Sequence, residues 1–134
     1  MRLSKVFIST MLFVLLLSFV GTAFGQDAPE TVSAKEFWQK FEVDREKADA
    51  EYIGKTMNFI GVVVETGMSI YLTPNVKLSD SPDGPIYLIC VLPRVDTGKL
   101  SEYTKGDKVT MTGRVYRSKA GGGVVVKECR RTGS

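Results

Sequence analysis

The chain has 134 residues, 43% hydrophobic and 25% charged, with a formal net charge of +3. That suffices for one ordinary domain and not for two. With no histidine and only two cysteines, it excludes Ser–His and Cys–His nucleophile systems, imidazole zinc sites and thiolate metal clusters.

The N-terminus differs in kind from the rest. Arg2 and Lys5 precede an almost wholly apolar run from Val6 to Val20, then the small residues of Gly21 to Gly25 and the polar Gln26-Asp27-Ala28-Pro29-Glu30. A basic start, an apolar centre and an Ala23-x-Gly25 end predict a secretory leader cut after Gly25 and a periplasmic or secreted product. An uncleaved membrane anchor is the alternative reading of the same run. No cysteine follows the apolar run, so lipid attachment at that junction is not available. Membrane contact is expected only through this segment.

The expected division is a leader over 1–25, a helical segment over 26–54 and a barrel over 55–134. Ser33 with Glu36 three residues on is a capping-box pattern. Phe37, Phe41, Ala48 and Tyr52 then follow at helical spacing, with Trp38 beside them. The pattern predicts an amphipathic helix from Ala34, broken near Val43-Asp44.

After Gly54 the period changes to two. Lys55 to Thr66 reads as a long strand, with Gly61 marking a bulge or bend. Met68 to Thr73 reads as a second strand with Ile70 and Leu72 on one face. Pro74 to Pro85, rich in Pro, Asp, Ser, Asn and Gly, reads as a loop. Ile86 to Leu92 is a third strand, with Leu88, Cys90 and Leu92 opposite Tyr87, Ile89 and Val91. A helical turn is expected near Leu100 to Tyr103. Lys108 to Tyr116 alternates cleanly, with Val109, Met111, Gly113 and Val115 opposite Thr110, Thr112, Arg114 and Tyr116. Beyond a loop from Arg117 to Gly123, a last strand runs from Val124 to about Cys129. Val124 and Val126 are out of phase with Cys129 unless a bulge intervenes. The expected fold is all-β with an N-terminal helix, a five-stranded OB-fold Greek-key barrel. A seven-stranded sandwich would need more chain.

Cys90 and Cys129 are even in number. In an oxidising compartment they favour a disulfide, closing a loop of about 38 residues and worth on the order of 4 kcal/mol. Two buried free thiols are the other reading.

The run Ala48 to Val63, the Ile89-Cys90 strand, Lys105 to Val115 and the closing Val-Val-Val-Lys-Glu-Cys (Val124 to Cys129) resemble the tRNA-anti-like OB-fold proteins. These are small, mostly exported bacterial proteins with a helix preceding the barrel. The resemblance implies the fold rather than an activity. It also implies that the third and fifth strands are neighbours, which would place Cys90 beside Cys129.

No catalytic constellation stands out, and neither an enzyme nor a cofactor is expected. Asp80 and Asp83 lack calcium-loop spacing, so no metal is expected, and Gly121 to Gly123 joins strands rather than opening a helix. A binding or interaction module remains, its partner an unidentified ligand or protein. OB barrels present ligands to strands two and three and to the adjoining loops. That names Ser69, Tyr71 and Thr73, then Tyr87 and Ile89, then Arg117 and Lys119. Tyr71 and Tyr87 would stack on rings, or serve only as strand residues. From Lys108 onward seven bases face one acid, Glu128. Arg114, Arg117, Lys119, Lys127, Arg130 and Arg131 would therefore form a patch for an anionic polymer such as single-stranded nucleic acid. Helix acids from Glu36 to Glu51 would neutralise it if they lay against it.

Overall fold

The computed structural model describes residues 29–119 and 122–132. The expected leader, Met1 to Gly25, lies outside the described residues. The chain runs through β1 (Thr31–Ser33), α1 (Ala34–Val43), α2 (Arg45–Tyr52), β2 (Thr56–Met68), β3 (Pro74–Ser79) and β4 (Leu88–Val91). A 3-10 helix (Arg94–Glu102), β5 (Lys108–Lys119) and β6 (Gly123–Arg131) follow.

The helical break comes from side-chain chemistry. Ser33 Oγ accepts the Glu36 N–H at 3.2 Å and caps α1. Asp44 adopts extended backbone and its carboxylate accepts the Lys47 N–H at 3.1 Å, so the chain stops α1 and starts α2 within one residue. Phe37 is fully buried and meets Phe41, Tyr52 and Phe59 edge-on, with centroids 5.1, 5.0 and 4.9 Å away. Because Phe59 faces inward from β2, the helix pair seals onto the barrel core.

The strands close in the order β2-β3-β4-β6-β5, with β5 returning to β2. All these pairings are antiparallel except β4 with β6. β2 is long enough to serve two neighbours: Thr56 to Val62 pair with β5, and Val62 to Met68 pair with β3. The short β1 adds a sixth strand, parallel to β2 at Asn58 to Ile60. A closed five-stranded barrel has no exposed ladder except at such margins. In β2 the register slips between Val63 and Glu65, so the bulge lies beyond Gly61. Gly61 instead lets β3 come close, because a Cβ there would sit 3.0 Å from Leu78 Cβ.

Of the expected second strand at Met68 to Thr73, Met68 ends β2 and the rest is a turn, and the expected loop after it begins with a strand. Ser69 Oγ accepts the N–H groups of Tyr71 and Thr73, each at 3.2 Å, and Ser69 O accepts that of Leu72 at 2.9 Å. Such local bonds compete with a ladder. They leave Ile70, Tyr71 and Leu72 at 90%, 72% and 70% exposure, with Leu72 at φ 58. The real β3 buries Val76 and Leu78, and Pro74 is tolerated as its first residue.

Strands β4 and β5 follow their expected alternation, with Leu88, Cys90, Val109, Met111 and Val115 inward and buried. The phase problem in β6 is resolved by an irregularity. Pairing passes from Arg114 with Lys127 to Thr112 with Arg130, and Glu128 takes φ 55. Val124, Val126 and Cys129 thereby all reach the interior.

Candidate ligand-binding face

The outward sides of four strands form one continuous surface. Cross-strand pairing sets Lys77 on β3 opposite Ile89 on β4, Ile89 opposite Val125 on β6, and Val125 opposite Arg117 on β5. One step along, Lys127 pairs with Arg114, and Asn75 pairs with Val91. This row joins residues 40 positions apart in sequence (Lys77 to Arg117).

Tyr116 organises the basic end. Its ring is 47% exposed, with Lys127 Nζ 3.6 Å from the centroid and Arg117 Cζ at 5.9 Å. A cation over an aromatic face is held by the ring quadrupole. Arg114 meets Glu128 at 3.3 Å, and Lys77 meets Glu65 at 2.6 Å. The Lys77 ammonium, through its hydrogen bond and its charge, holds the Glu65 carboxyl below its ordinary value. Among the described residues Arg117, Lys119 and Lys127 have no carboxylate within ion-pair distance.

The helix acids do not neutralise this patch by ion pairing. α2 touches the hairpin through Ser118 instead. Arg45 Nε donates to Ser118 Oγ at 2.9 Å and its Nη2 to Ser118 O at 2.8 Å, while Ser118 Oγ donates to Asp49 at 2.8 Å. That clamp engages the partly buried inner side of β5 and leaves Arg117 and Lys119 exposed.

The sequence-derived candidates are thus divided. Arg117 and Lys127 lie over Tyr116, Arg114 pairs with Lys127 on the same hairpin, and Lys119 lies at the end of β5. Tyr71 stands apart on the β2–β3 turn, where its carbonyl accepts from Arg94 at 3.1 Å. Ser69 and Thr73 share that turn. Tyr87, just before β4, is partly buried against the core. Arg131 lies over Tyr103, 5.7 Å from its centroid. Tyr116 and Lys77 were missing from the expected site. The alternation of Arg114, Val115 and Tyr116 had already set Tyr116 outward, whereas Lys77 was hidden by reading its strand as a loop.

Cys90 and Cys129 lie beneath this face, both fully buried thiols, and Cys90 pairs across the ladder with Val126, three residues before Cys129. Burial, and then hydrogen bonding to Cys90, pushes the Cys129 thiol well above its ordinary value of 9.0. In the dithiol state the unfolded chain therefore releases a proton that the folded chain keeps. Stability is fully present below about pH 9 and declines as pH rises further. Urea midpoints of reduced protein between about pH 8 and 10 measure this, and a flat profile would contradict it.

The tRNA_anti-like family model matches residues 1–130. No curated protein sequence matches the chain. Among solved structures, it is similar to a lipoprotein of Klebsiella pneumoniae subsp. pneumoniae provisionally described as nucleic acid-binding. That likeness has a TM-score of 0.65 at 20% identity, over 81% of this chain and 98% of the other. An OBody bound to hen egg-white lysozyme matches with a TM-score of 0.46 at 20% identity, over 63% of this chain and 81% of its own. A replication factor A related protein of Methanobacterium thermoautotrophicum matches at 0.42 and 16%, over 59% and 82%. The closed barrel is an OB-fold, and the chain belongs to the tRNA_anti-like family.

Proposed function

We propose that this protein is an exported, non-catalytic binding module that takes single-stranded nucleic acid on the outward face of β4, β6 and β5. The observation that carries the reading is the pair Arg117 and Lys127 over the Tyr116 ring, with Lys119 further along the same strand, cations that no carboxylate pairs with among the described residues. Fixed cations match the regular charge of a phosphodiester backbone, and an exposed ring offers a surface for a base. The half-exposed Ile89 and Val91 extend this surface across β4. The description of the Klebsiella lipoprotein as provisionally nucleic acid-binding supports the same reading.

Export is part of the proposal. The proposed division is a leader over 1–25, a helical segment over 26–54 and a barrel over 55–134. No helix among the described residues is long and apolar enough to cross a membrane.

Fluorescence anisotropy with a labelled single-stranded oligonucleotide tests the reading. If three cations each neutralise a phosphate, log K should fall with log salt at a slope of about −2. Undetectable binding at low salt would refute it. Equal affinity for a sulfated polysaccharide without stackable rings would replace nucleic acid with a general polyanion.

A further inference from the structure

Three departures from regular strand geometry converge on one pair of atoms. The first is the register slip in β6 between Lys127 and Arg130. The second is the left-handed backbone of Glu128, at φ 55, a conformation that a glutamate adopts at a cost. The third is Gly113 on the facing strand. A Cβ there would fall 2.8 Å from Cys129 Sγ, 2.5 Å from Val126 Cγ1 and 3.0 Å from the Lys127 carbonyl oxygen. Together they turn Cys129 inward and empty the space its sulfur fills.

That sulfur arrives beside the residue that pairs with the other cysteine. Cys90 pairs across the parallel β4–β6 ladder with Val126, three residues before Cys129. Cys129 Sγ lies 3.4 Å from the Val126 carbonyl oxygen, and both cysteines are fully buried in the same core cluster. An apolar filler at position 129 needs none of this apparatus, because a valine in the phase of Val124 and Val126 would pack without a bulge.

We propose that Cys90 and Cys129 are a disulfide-forming pair, closed while the chain folds by exchange with a thiol–disulfide donor. One cysteine thiolate attacks the donor's disulfide and forms a mixed disulfide. The second thiolate displaces the donor's remaining sulfur. One S–S bond forms in the protein, two thiol protons are lost, and the donor leaves carrying two electrons as its dithiol. Closure precedes burial, since both sulfurs are fully covered in the folded chain. The bond ties the end of β4 to the bulge of β6, directly after Lys127. Its effect on the ligand face rests on the functional reading above, but the bond itself does not.

The test uses the full chain, reduced and unfolded, then refolded in a mixture of reduced and oxidised glutathione. After quenching with an alkylating agent, the expected product carries no alkyl group and has lost two hydrogens. Two alkylated thiols, or glutathione retained on either cysteine, would overturn the proposal. Protein purified without reductant from a host that exports it provides a second count in denaturant, none expected and two contradictory. Cys90→Ser and Cys129→Ser must each leave one titratable thiol or one glutathione adduct. These counts are independent of oligonucleotide binding, so either idea can fail alone.

Discussion

Replacing Phe37 with alanine is expected to lower the unfolding free energy by about 3–5 kcal/mol. The whole stability of a domain this size is roughly 5–15 kcal/mol, so much of it would go. Phe37 is the one ring of α1 that touches Phe41, Tyr52 and Phe59 together, linking both helices to the barrel's interior. Deleting it removes three edge-to-face pairings and leaves a cavity that the closed barrel relaxes into only in part. Urea denaturation of Phe37→Ala beside Trp38→Ala gives the comparison. Trp38 is half-buried and stacks on Phe41 at 6.5 Å, so its removal is expected to cost less. If Phe37→Ala cost no more than Trp38→Ala, the helices would not be anchored as described.

Reversing the two ring-associated cations, Arg117→Glu with Lys127→Glu, is expected to weaken oligonucleotide binding by roughly tenfold or more at low salt. It should also flatten the salt dependence by about 0.7 for each phosphate that is no longer neutralised. Tyr116→Ala separates charge from stacking. If the ring carries a base, its removal should cost about 1–3 kcal/mol of affinity and leave most of the salt slope in place. Lys47→Glu, an exposed change on α2 of the same charge magnitude per site, should leave binding unaltered. Equal weakening by Lys47→Glu and the hairpin variant would mean that total charge, rather than this face, governs binding. Circular dichroism of each variant checks that the barrel is still folded, so that weaker binding is read as a change at the face.

Much of the architecture was legible because its signals are local. Ser33 and Asp44 announce their caps through side chains that reach only three residues. The inward set of β4 and β5 follows from strict alternation, and the conflict of phase at Cys129 foretold the bulge found at Glu128. The failure at Met68 to Thr73 has an equally local cause. Ile70 and Leu72 alternate like a strand, but Ser69 directs its oxygens to the turn's own N–H groups. Composition then misread the next segment, since Pro74, Asn75 and Ser79 suggest a loop while Val76 and Leu78 fill the core.

The order of most elements, the fold class, the inward residues of β4 and β5 and the basic bias of the last hairpin are all written in the order of amino acids. These depend on period, capping and charge, which are properties of near neighbours along the chain. Which cations stand free, and what they surround, came only with the closed barrel. Lys77, Ile89, Val125 and Arg117 share a row because closure sets the register of four distant strands. A one-residue change of that register would send each side chain to the other face, so no stretch of sequence read alone contains the site.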